Sequence, residues 1–383
     1  MKSEIVEYIN IYNRKIKVGI THGDINGIGY EVILKTLGDS EMLELCTPIV
    51  YGSSKALSYH RKALELPNVN FNLITKAEDA SPDANNLIEV LDGEVKIELG
   101  TPTEAAGKAA FAALERAVED LKNREIDVLV TAPINKDTIQ SETFHFPGHT
   151  EFLEDKAGDR YKSLMILCND DLRVALVTTH MPISKISESI TKEGIVEKLR
   201  VFNESLRRDF GIVKPRIAVL ALNPHAGENG LLGSEESEII MPAIEEAYAS
   251  KIVCFGPYAS DGFFGSGQYK NFDGILAMYH DQGLAPFKTI AMDSGVNFTA
   301  GLPFVRTSPD HGTGYDIAGK GEACEESFRS AIYKAIDISR NRRRFYEAHR
   351  NPLRRQYVDK SGDKEILDLT KDDGDVETDI LEV

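Results

Sequence analysis

The sequence predicts an α/β protein whose sheet is built on parallel strands, and two observations carry that expectation. Short β-rich runs repeatedly end in Gly, Pro or polar turns and pass into helical patterns, and several of those turns present a histidine. The first unit is Ile16 to Ile20, followed by the turn-forming stretch Thr21 to Gly29 and a helical pattern from Glu31 to Leu37. Pro48 to Ser53 leads likewise into Lys55 to Leu64, and Ile126 to Val130 runs through Thr131-Ala132-Pro133 to Lys136. Between them, Ala105, Ala109, Ala112, Ala113, Ala117 and Leu121 recur at helical spacing over Thr103 to Lys122, a small-residue face suited to close packing. Further strands are expected at Leu164 to Cys168, Val174 to Thr178, Arg216 to Leu222, Ile252 to Phe255 and Gly274 to Met278. Helices are expected at Lys192 to Phe210, Glu235 to Ala249 and Glu325 to Asn341.

The chain has 383 residues, enough for two or three domains with ordinary cores. Its 61 acidic and 44 basic side chains give a formal charge of -17, which opposes binding to nucleic acid. From Ser361 to Val383 nine acidic residues face two lysines, a solvated acidic extension. The arginines of Ile338 to Tyr357 read as a solvated or subunit-contacting helix. Cys46, Cys168, Cys254 and Cys324 form no CxxC pair, and the first three sit beside apolar stretches, which suits buried thiols rather than bridges and a reducing compartment. With no run of 18 apolar residues and no basic-then-apolar start, a cytoplasmic protein without membrane contact is expected.

Residues just past strand ends are where open α/β sheets gather ligands. His180, His225 and His280 each follow a different expected strand and could converge on one metal ion with an open coordination position. Their wide spacing leaves three separate structural histidines as the alternative. Asp281, beside His280, could orient it or remain a polar loop residue. His149 and Thr150 precede a helix starting near Glu151, where Thr150 either caps the helix or joins His149 in binding an anion. Lys288, Asn297 and Arg306 lie on a Gly- and Pro-punctuated segment, and the two cations would complement a phosphate or carboxylate. The glycine loop Gly23 to Gly29 is neither GxGxxG nor a Walker motif, so no dinucleotide fingerprint is present and cofactor-binding residues stay unassigned.

The motifs GDINGIG, TAPINK, FPGHTEF, VTTHMPIS, LNPHAGENG, GPYASD, AMYHDQGLAPFK and GVNFTAGLPFVRTSPDHGT occur in this order between about Lys15 and Asn341. Together they resemble the 4-hydroxythreonine-4-phosphate dehydrogenase family of pyridoxal phosphate biosynthesis. The resemblance implies two α/β domains around a central cleft, with an isocitrate/isopropylmalate dehydrogenase-like fold. It also implies NAD- or NADP-linked oxidation of 4-phosphooxy-L-threonine, then decarboxylation to 3-amino-2-oxopropyl phosphate. By the same resemblance His180, His225 and His280 bind a divalent metal (zinc, manganese, cobalt or magnesium), with His280 donated across a homodimer interface. His149, Thr150, Lys288, Asn297 and Arg306 bind the phosphorylated substrate, and His149 and Asp281 are the candidates for acid-base work.

The expected domains are 1–135 with 310–357, then 136–309 carrying the metal and substrate site, then the acidic tail 358–383. Where the family pattern reads PGEPAGIGP, this chain has HGDINGIGY, without the three prolines and with Asp for Glu. The C-terminus is also longer than the family pattern. Two rival activities stand beside the main one: a D-threonate or D-erythronate 4-phosphate dehydrogenase of acid-sugar catabolism, and a metallohydrolase using three histidines.

Overall fold

The computed structural model describes residues 14–350 apart from 92, 94, 95, 142, 143 and 292. The acidic tail, Arg354 and Arg355 lie outside the described residues. Twelve strands form a single sheet in the order β3-β4-β2-β1-β5-β12-β11-β6-β7-β10-β8-β9. One half holds β1 (Ile16–Thr21), β2 (Cys46–Gly52), β3 (Phe71–Ile74), β4 (Asn85–Glu89), β5 (Val128–Thr131) and β12 (Val305–Pro309). The other holds β6 (Leu164–Cys168), β7 (Arg173–Leu176), β8 (Ile217–Leu220), β9 (Cys254–Tyr258), β10 (Gly274–Ala277) and β11 (Val296–Ala300). The chain leaves the first half after β5 and returns to it at β12, which pairs with β5.

The first half pairs in parallel throughout, and so do β7, β10, β8 and β9 of the second, as strand-helix alternation requires, but the centre of the sheet departs from the expected parallel arrangement. β11 is antiparallel to both β12 and β6, and β6 is antiparallel to β7. The reason is connection length: parallel neighbours need a long crossover, whereas the turns at 169–172 and 301–304 allow only a hairpin return. Asn169 sets the first of these turns by accepting backbone N–H bonds from Asp171 and Leu172 at 3.0 and 2.7 Å.

The larger helices are α1 (Gly29–Leu37), α2 (Ser54–Ala63), α3 (Glu104–Lys122), α4 (His149–Ala157), α5 (Lys192–Arg208), α6 (Met241–Ala249), α7 (His280–Ala291) and α8 (Glu326–His349). α3 is capped by Thr103, whose side chain accepts from the Ala106 N–H at 3.2 Å. Its buried face is Ala106, Gly107, Ala109, Ala110, Ala113 and Ala117; Ala105, expected on it, is exposed. Gly107 is required there because a Cβ would sit 1.9 Å from the Thr138 carbonyl oxygen. We therefore expect Gly107→Ala to cost about 1–3 kcal/mol by overpacking, read as a lower urea midpoint with an unchanged slope.

The Gly- and Pro-punctuated segment that follows His280 begins as the helix α7. It is a helix despite Pro286 because it packs so closely on the sheet: a Cβ on Gly283 would lie 2.8 Å from Leu176 Cδ2 and 2.9 Å from Val174 Cγ1. The arginine-rich α8 is not wholly solvated either. Arg342 is 6% exposed and, with Arg208, grips the fully buried carboxylate of Asp209 at the end of α5. No helix among the described residues is long and apolar enough to cross a membrane.

The altered glycine loop is built around a ring stack. His22 lies 5.0 Å from Tyr30 at 9° between planes, and Tyr30 lies 5.0 Å from His60. His22 and Tyr30 occupy two of the positions that hold proline in the family pattern, and here their rings stack on each other. Burial lowers both histidines from 6.5 to about 4. The unfolded chain takes up these protons first, so their contribution is complete above about pH 6.5 and is lost as pH falls towards about 4. Each histidine is expected to remove up to about 3 kcal/mol across that window. Urea titrations at pH 7.5, 6 and 5 will show the decline, and it will be shallower in His60→Gln.

Candidate active site

The reversal of strand direction at the sheet centre creates a cleft of about 410 Å³. Thr131 of β5, Asn297 of β11, Arg306 and Ser308 of β12, and Leu176 of β7 line it, together with the N-terminus of α4 and the start of α7. His149, Thr150, His180, His280, Lys288, Asn297 and Arg306, drawn from four separated motifs, all reach this one cleft.

Arg306 dominates the electrostatics. It is 3% exposed; its Nε and Nη2 donate to Thr131 Oγ1 at 3.1 and 2.7 Å, and Nη1 donates to Thr299 Oγ1 at 3.2 Å. Both partners are neutral hydroxyls, and among the described residues no carboxylate forms an ion pair with it. Burial pulls its pKa down to about 9, opposed by Glu151. A buried guanidinium oriented by hydroxyls but left without a counter-charge is a site waiting for an anion. Lys288 differs, because its ammonium contacts Asp310 Oδ1 at 3.3 Å and donates to the Asp310 carbonyl at 3.2 Å.

Three further polar atoms around the cleft are buried without a hydrogen-bond partner: His149 Nε2, Asn297 Oδ1 and His311 Nε2. Burial, then Arg306 and Lys136, hold His149 well below the ordinary histidine value, so it is neutral near pH 7. A neutral imidazole there can accept a proton from a hydroxyl in the cleft.

The metal-type residues assemble in part. The rings of His180 and His280 have centroids 5.7 Å apart. One ion bound at the usual ~2.1 Å from each nitrogen in tetrahedral geometry would set such rings roughly 5 Å apart, so this pair fits a shared metal after a small adjustment. His280 Nδ1 is held by Asp281 Oδ1 at 2.7 Å. Asp281 is thus engaged in orienting His280 and lines an adjoining apolar recess with Met181, Ile183 and Ile186, not the main cleft. His225 stands apart: it is exposed, does not line the cleft, and lies in a left-handed stretch with φ of 52°. Among the described residues no three His, Cys, Asp or Glu side chains surround one point.

Lys136, Glu151, Asp310 and His311 also line the cleft and had no role assigned from sequence. All four fall within motifs already singled out, TAPINK, FPGHTEF and SPDHGT. Their signal was position next to a strand end or helix start, the same signal that marked His149.

Comparison with known proteins places this geometry in a family. The model for pyridoxal phosphate biosynthetic protein PdxA matches residues 44–335. The chain belongs to the PdxA family. A PdxA relative from Bacteroides thetaiotaomicron, named 4-hydroxythreonine-4-phosphate dehydrogenase, is 61% identical over 361 residues, covering 94% of this chain and 99% of the relative. A relative from Oceanobacillus iheyensis, named as a candidate D-threonate 4-phosphate dehydrogenase, is 39% identical over 85% of this chain and 99% of its own length. Among solved structures, the 4-hydroxythreonine-4-phosphate dehydrogenase of Klebsiella pneumoniae superposes with a TM-score of 0.75 at 34% identity, covering 85% of this chain and 99% of that one. The PdxA fold of these proteins is thus the fold of this chain.

Proposed function

We propose that this PdxA protein is a 4-hydroxythreonine-4-phosphate dehydrogenase. It oxidises the C3 alcohol of 4-phosphooxy-L-threonine, passing hydride to NAD and a proton to the enzyme. The resulting 2-amino-3-oxo-4-phosphooxybutanoate loses carbon dioxide to give 3-amino-2-oxopropyl phosphate. The observation that carries this reading is Arg306, a buried cation with only hydroxyl partners, facing a cleft beside a neutral histidine.

In this reading Arg306 and Lys288 bind the phosphate, with Asn297, Thr150 and the N-terminus of α4 completing the contacts. That anchoring fixes the reacting carbon, so binding energy far from the bond being broken contributes to the rate. His149 accepts the hydroxyl proton through Nε2. Asp281 fixes the His280 ring through Nδ1, leaving Nε2 turned to a ligand.

His180 and His280 fit a divalent metal, zinc, manganese, cobalt or magnesium, with a third ligand to come from His225. Such an ion supplies Lewis acidity for the alcohol and for the ketone that follows. Because His225 is exposed and outside the cleft of its own chain, the site reads as completed by a second copy, a homodimer with histidines shared across the interface. Ile183 and Leu231, 78% and 79% exposed, provide apolar surface near these histidine loops for such a contact.

NADH formation by the purified protein tests the reading, with 4-phosphooxy-L-threonine and D-threonate 4-phosphate compared with and without chelator. Chelator-sensitive turnover of the amino compound is expected. Turnover of the threonate ester alone would place the protein with the acid-sugar enzyme named for the Oceanobacillus relative, and release of product without NADH would favour a metallohydrolase.

A further inference from the structure

A cleft that holds phosphate and carboxylate groups should avoid free negative charge, yet Glu151 lines it. Asp310, the other carboxylate there, is neutralised by Lys288 at 3.3 Å. Among the described residues Glu151 makes neither a hydrogen bond nor an ion pair. It lines the same cleft as the buried Arg306, and its charge opposes the lowering of the Arg306 pKa by burial. Its carboxylate therefore shares one cleft with the anion anchor and the histidine pair.

Local structure explains how it is held there. Glu151 occupies the third position of α4, where the helix dipole favours a carboxylate. Its Oε2 lies 3.6 Å from where a Cβ on Gly148 would be, and Lys136 Cε lies 3.8 Å from the same point. The absence of a side chain at Gly148 thus lets a carboxylate and an ammonium flank the helix start. They are not joined in an ion pair, which leaves each available to a ligand group of opposite sign.

We infer that Glu151 receives the ammonium group on the second carbon of the substrate and selects amino over hydroxy four-carbon phosphates. This rests on the function proposed above and deepens it. A substrate with hydroxyl at that carbon offers no cation to offset the carboxylate, whereas an ammonium forms a charge-assisted hydrogen bond with it. Discrimination then comes from leaving a charged group without its partner when the wrong substrate binds.

The test compares wild type, Glu151→Gln and Glu151→Asp on 4-phosphooxy-L-threonine and D-threonate 4-phosphate, measuring kcat/KM and, without NAD, binding by calorimetry. Glu151→Gln is expected to lose roughly a hundredfold in kcat/KM on the amino compound, to keep or gain activity on the hydroxy compound, and to bind metal and unfold as wild type does. Glu151→Asp is expected to restore part of the preference. Equal losses on both substrates, an unchanged preference, or weakened metal binding would overturn the assignment, because Glu151 would then serve as base, bystander or metal partner. If wild type oxidises neither compound but binds the amino one with a preference that Glu151→Gln removes, the oxidation reading falls and the ammonium assignment stands. No preference in wild-type binding overturns it.

Discussion

Arg306→Met is expected to lower kcat/KM on the phosphorylated substrate by on the order of a thousandfold while leaving the protein at least as stable as wild type. The two effects have one cause. The guanidinium is 3% exposed and, among the described residues, bonded to Thr131 and Thr299 hydroxyls and to no carboxylate, so the folded protein holds a buried charge that forms no ion pair. Removing it relieves a desolvation cost, which is why stability does not fall. The same charge meets the substrate phosphate in a dry site, where truncating one partner typically costs about 2–5 kcal/mol. Arg306→Lys restores little, because an ammonium cannot reproduce a fork held by two threonines. A dephosphorylated substrate supplies the control: it is slow with wild type and no slower with Arg306→Met. A large further loss with that substrate would mean that Arg306 supports the fold of the cleft and not the phosphate.

Asp209→Asn has the opposite signature, a stability loss of about 3–5 kcal/mol with kinetic constants little changed in the folded fraction. Asp209 is fully buried and receives Arg208 Nε at 2.8 Å, Arg342 Nε at 2.7 Å and Ser205 Oγ at 2.8 Å. Burial pushes its pKa up, but Arg342 and Arg208 outweigh that and hold it below the usual carboxylate range. Neutralising it leaves the Arg342 guanidinium, 6% exposed, without its carboxylate partner, and Arg208, 8% exposed, with Glu204 alone at 3.3 Å. Urea denaturation measures the loss, and adding Arg342→Met to Asp209→Asn should recover part of it. The network ties the end of α5 directly to α8, where Asn341 also donates to the Asp209 carbonyl at 2.9 Å, and Arg342 further donates to the Leu302 carbonyl at 3.1 Å.

The strands and helices with strong periodicity were legible in sequence: β1, β2, β6, β10, α3 and α5 are found close to where apolar runs and turns place them. β3 and β4 were not, because Phe71–Ile74 is a short edge strand with exposed positions and Asn85–Glu89 reads as polar. α7 was hidden by Gly283 and Pro286, both of which oppose a helix locally. There the close contact with Leu176 and Val174 outweighs propensity, and a contact across the sheet cannot be seen in a window of neighbouring residues.

The site divides in the same way. Residue type and position after a strand are local properties, so His149, Thr150, His180, His280, Lys288, Asn297 and Arg306 could be singled out from the chain alone, and their order of motifs pointed to the family. Whether Arg306 has a counter-charge and where His225 stands relative to the other two histidines depend on partners distant in sequence. Those partners are brought close only when β12 returns beside β5 and β11 pairs antiparallel with β6. Chemical identity is written residue by residue, but charge balance and burial are sums over neighbours, and the neighbours are chosen by the fold.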